Sequence, residues 1–332
     1  MSITLRGAVF SSVWDAAGVS NFQRQFYWFH YPLKPFGHSF TGATPVSKTS
    51  TLPLRPGNMP LKDDGVTPKE LFPKCIYVDI LNELALNAVS LSGPGFERLC
   101  SMGLWQRFTE AFQISLMSLA QIPAERKAEM EENLHLASRL FHQCQAPMGI
   151  QQNISCPNGG LDPESILDET LPMLDIAERI LPRRIPYIVK VGPDCHPKAA
   201  KKIADHPRCD ALCALNTLGF GKHPVWATET EPVDWKKLFG TDDPKQSPIA
   251  KHFPGFPGGL SGAPLRPFTI EWLRKVRALG VRKHINVCSQ LTREHLIEAK
   301  AAGADSVSVG SLSFLKPLGV RSFIRDALHI FD

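Results

Sequence analysis

The chain has 332 residues, of which 43% are hydrophobic and 21% charged, a composition typical of a globular protein that buries a large core. Its 37 basic and 32 acidic residues give a net charge of +5, too mild to indicate nucleic-acid binding, and no segment is long and apolar enough to predict a membrane span. The first residues lack the basic start and apolar run of a secretory signal, so we expect a cytoplasmic protein.

Eight cysteines are scattered along the chain without a C-x-x-C pair. This spacing argues against a disulfide framework, a structural zinc site and an iron–sulfur centre. We therefore expect free thiols and no metal site.

The N-terminal part of the chain contains three apolar segments. "AVFSSVW" (8–14) and "ATPVSKTS" (43–50) are predicted strands, and "CIYVDIL" (75–81) is a third candidate. From about residue 110 onward, short apolar runs alternate with amphipathic stretches, which predicts six strand–helix units. The predicted strands of these units are 112–119, 148–155, 186–193, 210–217, 284–289 and 306–311. The predicted helices are 123–144, 163–180, 196–206, 269–280, 292–303 and 322–331.

Together the segments predict eight strand–helix units and hence an α/β fold, a single (β/α)8 TIM barrel domain over residues 1–332 with long loop insertions. An open doubly wound sheet is the alternative architecture. The first turn, "VWDAAGVSN", lacks the glycine fingerprint of such sheets, so we favour the barrel.

Two long loops rich in Pro and Gly, 50–86 and 219–266, are predicted to be lids or binding elements. The aromatic-rich segment 21–40 has no basic interleaving, which favours lid packing or a subunit interface over a membrane or nucleic-acid surface.

Functional groups of a barrel lie at the carboxyl ends of its strands, and this rule selects a set of mostly polar side chains. The set consists of Lys48, Asn153, Cys156, Lys190, Asn216 and Thr217, and Asn87 joins it from the connection that precedes the third unit. Amides in a barrel mouth bind a flat polar heterocycle or a carboxylate. Cys156 is a candidate nucleophile or general base, with a buried structural thiol as the alternative. Lys190, inside "IVKV", suits an electron-rich ligand or a Schiff base.

A phosphate site is predicted late in the chain. The glycine-rich "FPGGLSGAPLRP" (256–267) precedes a helix, and Gly310 and Ser311 lead into another helix N-terminus. A flexible hairpin is the alternative for the glycine-rich segment.

With these residues assembled, the chain resembles the dihydroorotate dehydrogenase family of FMN-dependent barrels. The resemblance rests on "NISCPN", "VSKTSTLPLRPGN", "LNAVSLSGPG", "VKVGP", "LNTLG", "GGLSGAPLRP" and "AGADSVSVGS", in family order from about residue 8 to the C-terminus. It implies oxidation of dihydroorotate to orotate in pyrimidine biosynthesis, with a cysteine base like that of the soluble class.

The resemblance also implies a role for each matching residue. Cys156 would remove the proton from C5 while hydride leaves C6 for the flavin N5, and the residues that hold the substrate would be Asn87, Asn153, Asn158, Asn216 and Thr217. The FMN contacts would be Ala16, Ala17, Gly18, Lys48, Thr49, Lys190, Gly259, Ser261, Gly262, Cys288, Ser289, Gly310 and Ser311. Of these, Gly259, Gly310 and Ser311 would serve the phosphate.

Three departures from the family pattern stand out. Cys288 and Ser289 occupy places usually held by a Gly-Gly pair, which narrows the space where backbone N–H groups meet phosphate. Ser90 and Gly93 stand at places usually held by Gly and Asn, and the insert 219–257 has no family counterpart.

Several alternatives remain open at this point. One is a paralogous flavin-dependent dehydrogenase or ene-reductase that acts on another small cyclic substrate. The others are a flavin-free Schiff-base lyase that uses Lys190 and a noncatalytic barrel. The electron acceptor is open among fumarate, oxygen and a partner protein. By resemblance we expect a homodimer.

Overall fold

The structure, a computed structural model, describes residues 2–24, 27–154 and 163–332, and the side chains of residues 163–167 are not described. The strands are β1 (Ile3–Leu5), β2 (Ala8–Phe10), β3 (Val13–Asp15), β4 (Ile76–Asp79), β5 (Leu84–Asn87), β6 (Phe112–Leu116), β7 (Met148–Asn153), β8 (Tyr187–Lys190), β9 (Ala211–Ala214), β10 (Leu218–Gly219), β11 (Gly259–Gly262), β12 (His284–Val287) and β13 (Ser306–Val309).

The helices are α1 (Phe96–Ser101), α2 (Pro123–Phe141), α3 (Pro163–Ile180), α4 (Pro197–Asp205), α5 (Trp235–Phe239), α6 (Arg266–Ala278), α7 (Arg293–Ala301), α8 (Leu312–Leu315) and α9 (Val320–Phe331). Within the described ranges, no helix combines the length and the apolar character that crossing a membrane requires.

Seven parallel strands and one short segment form a closed barrel. The hydrogen-bonded order is β3, β13, β12, β9, β8, β7, β6. Residues 44–50 close the ring, because Thr44 forms a parallel bridge with Trp14 of β3 and Val46 forms one with Gln113 of β6. The predicted (β/α)8 barrel is therefore confirmed, and the open doubly wound sheet is excluded.

The six C-terminal strand–helix units form where the sequence predicts them. The strands β6, β7, β8, β9, β12 and β13 are followed by α2, α3, α4, α6, α7 and α9, with extra elements inside the longer connections. Local sequence sets the helix starts: Pro123 and Pro197 occupy first-turn positions, and the Thr292 side chain accepts a hydrogen bond from the His295 N–H. Strands covered on both faces are buried throughout, as along β8.

The first two barrel strands are β3 and the segment 44–50. They differ from the expected repeat, because within the described residues no α-helix directly follows either one. After β3 the described chain forms two 3-10 turns, Trp28–His30 and Lys34–Phe36, and the second ends at Gly37 with a φ of 96°. Pro35 and this left-handed Gly37 prevent a longer helix there.

The third N-terminal segment is not a barrel strand, which corrects one prediction. Residues Ile76–Asp79 form β4, the edge of an antiparallel sheet ordered β10, β11, β5, β4. A barrel strand must be buried on both faces, whereas β4 is only half-buried, so it suits a sheet edge. The two long loops thus supply a second sheet, with Asn87 paired to both Ile76 and Gly259.

A small antiparallel hairpin fills the opposite end of the barrel. Strands β1 and β2 pair, and Phe10 packs in one cluster with Trp14 and Ile188 of the barrel interior. Gly149 lets the Phe10 ring approach, because a Cβ there would lie 3.3 Å from the Phe10 Cζ atom. With this end plugged, a ligand site belongs at the carboxyl ends of the strands.

Candidate functional site

One cavity opens at the carboxyl ends of the barrel strands. Its volume is about 640 Å³, within the range of small-molecule and cofactor sites. The predicted residues that line it are Ala16, Ala17, Gly18, Lys48, Thr49, Asn87, Asn153, Lys190, Asn216, Thr217, Gly259, Ser261, Cys288, Ser289, Gly310 and Ser311. The structure therefore brings together side chains that the sequence spreads over almost 300 positions.

Three predicted site residues are not part of that lining. Gly262 does not border the cavity, while Cys156 and Asn158 lie outside the described residues. Gly262 serves packing instead, because a Cβ there would meet the Glu83 carbonyl oxygen at 2.2 Å. The cysteine assigned as the base follows Asn153, the last residue of β7, by three positions.

The ends of neighbouring strands position the polar groups of the cavity. Asn153 ends β7 and pairs in register with Lys190, which ends β8. The next strand, β9, is followed by Asn216, whose N–H donates to the Val191 carbonyl at 2.9 Å. Residues in register on adjacent strands point to the same face of a sheet, so Asn153 and Lys190 both reach the cavity.

Lys48 is a buried lysine whose charge is costly without a ligand. Its Nζ donates to the Ser92 carbonyl and lies 5.0 Å from the Phe22 ring centroid. Burial lowers the pKa of Lys48 to about 7. An anionic or electron-rich ligand beside this lysine would favour its charged form and offset the cost of burial.

Two buried thiols lie near Lys190, of which Cys288 lines the cavity and Cys213 is paired in register with Lys190. Cys213 belongs to β9, and Cys288 directly follows β12, the neighbouring strand. The neighbouring Cys213 thiol lowers the pKa of Cys288, and the charge of Lys190 adds to the effect against the cost of burial. The neighbouring Cys288 and burial raise the pKa of Cys213, whose Sγ atom donates to the Asn286 Oδ1 atom at 3.5 Å.

One wall of the cavity carries no large side chain. Ala16, Ala17 and Gly18 follow β3, and Gly310 follows β13 beside them, with the Ala16 N–H donating to the Val309 carbonyl at 2.8 Å. A Cβ at Gly310 would lie 3.4 Å from the Ala16 Cβ. Such a wall suits the face of a planar ring, and the polar strand ends supply donors and acceptors around it.

The glycine-rich segment is a strand, which corrects the predicted phosphate turn. Residues Gly259–Gly262 form β11, paired with β5 on one side and β10 on the other, so sheet pairing engages its backbone. Gly259 is needed for close packing, because a Cβ there would meet the Thr217 Oγ1 atom at 2.1 Å. Gly259 and Ser261 still line the cavity, but as part of a wall.

Ser289 adopts a backbone conformation that favours glycine. Its φ is 70°, in the left-handed region, and its side chain is buried at the cavity lining. Cys288 beside it is held by a hydrogen bond from its N–H to the Ala214 carbonyl at 2.6 Å. The backbone thus retains a glycine-like turn although the two residues carry side chains.

Several residues that line the cavity were assigned no role from the sequence. Arg55 is the only arginine among them that has a buried polar atom, its Nε, without a hydrogen bond in the described part of the chain. Tyr27, which belongs to segment 21–40, and Phe314 also line the cavity, with their ring centroids 5.3 Å apart. Arg55 lies in the quoted motif "TLPLRPGN", but only the fold shows that it faces the cavity.

Comparisons with known proteins agree with the motifs. No protein-family model matches the chain. The catalytic subunit of dihydroorotate dehydrogenase B (NAD(+)) from Shouchella clausii is 27% identical over 255 residues, which cover 74% of this chain and 72% of that protein. The same subunit from Listeria monocytogenes is 27% identical over 240 residues, which cover 70% of this chain and 67% of that protein.

Solved structures share the fold. The crystal structure of dihydroorotate dehydrogenase from Eimeria tenella in complex with ferulenol matches with a TM-score of 0.65 over 99% of this chain and 84% of that chain, at 17% identity. The ligand-free form matches with a TM-score of 0.64 at 18% identity. The similarity in sequence therefore confirms the resemblance of this chain to the dihydroorotate dehydrogenase family, and the fold agrees with it.

Proposed function

We propose that the chain is an FMN-dependent oxidoreductase acting on a CH–CH group, with dihydroorotate as the leading substrate and orotate as the product. One observation carries the proposal: a single cavity at the carboxyl ends of the barrel strands is lined by nearly every described residue that the resemblance assigns to flavin or substrate. Similarity to dihydroorotate dehydrogenase B catalytic subunits supports the same reaction class.

The residues present fit a flavin. The wall of Ala16, Ala17 and Gly18 leaves room for one face of a tricyclic ring, and Lys190 provides a buried cation beside it. Gly259, Gly310 and Ser311, which the resemblance assigns to the phosphate, line the same cavity, as does Ser289. Bound FMN would supply the acceptor for the hydride that leaves C6 of the substrate.

The proposed base is Cys156, on the segment that follows β7. A thiolate there would take the proton from C5 of dihydroorotate, and a positioned base of this kind contributes roughly 10²- to 10⁴-fold to the rate. In support of this assignment, Asn153, the last residue of β7 and three positions before Cys156, lines the cavity.

The chain's amides and cations would bind the substrate. Asn87, Asn153 and Asn216 present donors and acceptors that suit the ring amides of a pyrimidine. Arg55, which was given no role from the sequence, offers a cation for the substrate carboxylate. Fixed polar groups in the cavity would also stabilise charge that develops during proton removal.

The remaining features are proposed by resemblance. We propose a cytoplasmic protein that acts as a homodimer on a small molecule, with no nucleic-acid or membrane partner. The electron acceptor stays open among fumarate, oxygen and a partner protein.

The visible spectrum of the pure protein tests the proposal. We expect a yellow protein with oxidised-flavin absorption that bleaches on anaerobic addition of dihydroorotate. A flavin that other cyclic substrates bleach but dihydroorotate does not would indicate a paralogous enzyme. A colourless protein that cannot be reconstituted with FMN would refute the proposal, and borohydride trapping of a substrate on Lys190 would then establish the Schiff-base alternative.

A further inference from the structure

Strand β4 is the open edge of the second sheet. That sheet has the order β10, β11, β5, β4, so within the described residues β4 is paired on one side only. The exposed side chains along this edge are apolar: Val78 is exposed, and Ile80 and Leu81, which follow the strand, are 63% and 94% exposed. An apolar strand edge of this kind is a surface to which another strand can add.

The pairing pattern shows which backbone groups of β4 face outward. The Ala88 N–H donates to the Cys75 carbonyl at 2.8 Å, and these residues stand opposite each other in the register of β4 with β5. Bonded and non-bonded pairs alternate along an antiparallel ladder, so Tyr77 is bonded to β5, whereas Val78 directs its N–H and carbonyl away from β5. In the described part of the chain, neither group of Val78 forms a hydrogen bond to a loop or turn.

This edge lacks the usual protection against pairing with another chain. Exposed edges of monomeric proteins commonly carry Pro, Lys, a bulge or an inward-pointing charge. Between residues 76 and 81 the only charged residue is Asp79. Its carboxylate is engaged in its own turn, where it accepts hydrogen bonds from the Asn82 N–H at 3.0 Å and from the Asn82 Nδ2 at 2.8 Å. The charge therefore does not guard the outward-facing groups of Val78.

We propose that β4 pairs antiparallel with β4 of a second copy of this chain, about a two-fold axis at Val78. The two four-stranded sheets then form one sheet of eight strands, with main-chain hydrogen bonds between the two Val78 residues. The interface lies one strand away from the candidate substrate amide, because Ile76 of β4 lines the cavity and is paired with Asn87. The inference rests on one part of the proposed function, the homodimer, and identifies its surface.

A second copy fits this edge because the strand is complementary to itself. Around an axis at Val78, Ile76 lies opposite the partner's Ile80, and Tyr77 lies opposite the partner's Asp79. Apolar side chains meet on one face of the joined sheet, and a phenol meets a carboxylate on the other. An axis at Asp79 would instead place two carboxylates opposite each other, which is unfavourable. Charge and backbone pattern thus select the same axis.

Sedimentation velocity of the full chain tests the assembly. We expect the unsubstituted protein at twice its chain mass of 36.8 kDa. Val78→Pro removes the outward N–H but no hydrogen bond of β4 to β5, and proline is tolerated at an edge position whose N–H faces solvent. The variant should raise the dissociation constant of the dimer at least about tenfold, because both hydrogen bonds of the central pair are lost.

A second variant and a matched control separate the edge from other apolar surface. Ile80→Lys places a charge opposite the partner's Ile76 and should also raise the dissociation constant. Ile297→Lys is the control, since Ile297 lies on α7 and is 51% exposed, close to the 63% of Ile80. This variant should leave the dissociation constant unchanged.

A pair of cysteines tests the register. Tyr77 and the partner's Asp79 would form a non-hydrogen-bonded pair, whose Cα atoms lie about 4.5 Å apart, within the span of a disulfide. The double variant Tyr77→Cys, Asp79→Cys should therefore be linked at twice the chain mass on mild oxidation and released by dithiothreitol. Neither single variant nor the unsubstituted protein should be linked, because position 77 faces position 79 and not itself.

Hydrogen exchange of the unsubstituted protein decides the question even where a variant fails to fold. Peptides that cover residues 76–81 should be protected when the protein is dimeric and should exchange faster when it is diluted to the monomer. A protein that is monomeric at all concentrations would overturn both the interface and the homodimer. A dimer without this protection, or without the link between positions 77 and 79, would overturn the interface alone. The flavin spectrum, which tests the proposed reaction, is independent of each of these outcomes.

Discussion

Asn153 and Lys190 lie side by side in register at the ends of β7 and β8, and the Ile154 N–H donates to the Lys190 carbonyl at 3.0 Å. This pairing places a neutral amide next to a buried ammonium at the same depth of the cavity. In the proposed reaction the amide serves the substrate and the ammonium serves the flavin, so the two ligands would meet at this pair.

Substitution of the amides should therefore weaken substrate binding more than flavin binding. We expect Asn153→Ala and Asn216→Ala each to weaken orotate binding by about 10- to 100-fold, as loss of a hydrogen bond in a buried site costs about 1–3 kcal/mol. The measurement is titration of the oxidised protein with orotate, followed by the flavin spectrum. Asn82→Ala, in the exposed turn between β4 and β5, is the control and should change neither affinity. Equal loss of both ligands would contradict the assignment.

Arg55 should recognise the negative charge of the substrate. We expect Arg55→Ala to weaken orotate binding by at least about tenfold, because charge-assisted hydrogen bonds contribute about 1.5–3 kcal/mol. Binding of an uncharged orotate ester should change far less. Arg98→Ala, on the exposed face of α1, serves as the matched control. If the ester and the acid lose affinity equally, Arg55 does not contact the carboxylate.

Burial of Lys48 should make the stability of the ligand-free protein depend on pH. The pKa of Lys48 falls from its ordinary value of 10.5 to about 7 on folding, chiefly through desolvation. Below pH 7 both states are protonated and the full cost of burying the charge is present. Between pH 7 and 10.5 the unfolded chain binds more protons, so the cost diminishes by up to about 1.4 kcal/mol per pH unit.

The difference in unfolding free energy between Lys48→Met and the unsubstituted protein isolates this effect. As the pH rises from 7 to 9, we expect the unfolding free energy of Lys48→Met to fall steadily relative to that of the unsubstituted protein. Urea denaturation at each pH gives both values. A difference that does not change with pH would mean that Lys48 keeps its ordinary pKa in the folded protein.

Ser289 should tolerate glycine, unlike an ordinary serine. A left-handed conformation costs a residue with a side chain about 1–2 kcal/mol, whereas glycine costs about 0.5–1 kcal/mol through the entropy of the unfolded chain. We expect Ser289→Gly to leave the free energy of unfolding unchanged or raise it by up to about 1 kcal/mol. Ser322→Gly, at an exposed helical position in α9, should lower it by about 0.5 kcal/mol. Thermal unfolding of both variants makes the comparison, and a larger loss at Ser289 would contradict the strain.

Replacement of the proposed base should separate chemistry from binding. We expect Cys156→Ala to keep the flavin but to slow its anaerobic reduction by dihydroorotate by about 10²- to 10⁴-fold. The rate of flavin reduction in Cys156→Ser should lie between those of Cys156→Ala and the unsubstituted protein. The reductive half-reaction is followed by stopped-flow absorbance, and unchanged rates in both variants would remove Cys156 from the mechanism.

Local patterns were enough to predict the barrel. The strands β6 to β9, β12 and β13 and their helices follow from short apolar runs and amphipathic stretches, which depend on residues close in the chain. The strand-end rule then predicted the cavity lining, since parallel strands place their carboxyl ends at one rim. Segment 75–81 shows the limit of such patterns, because an apolar run alone does not distinguish a barrel strand from the edge of a second sheet.

Three features of the site depended on contacts between distant residues. The sequence could not show that Gly259–Gly262 is a strand, because its pairing partner, Leu84–Asn87, lies about 175 positions earlier. Nor could it show that Arg55 faces the cavity. The pairing of Cys213 with Asn286 depends on the adjacency of β9 and β12, which the long insertion between these strands conceals.

By itself, the amino-acid sequence determined the fold class, the order of the strand–helix units and the residue types available at the strand ends. Hydrophobic periodicity and capping residues act over a few positions, so a reader of the chain can recover these properties. Only the tertiary structure decided which polar groups share one cavity, which glycines are required for packing and which lysines are buried. Register, burial and the pKa shifts that follow from burial depend on partners tens to hundreds of residues away.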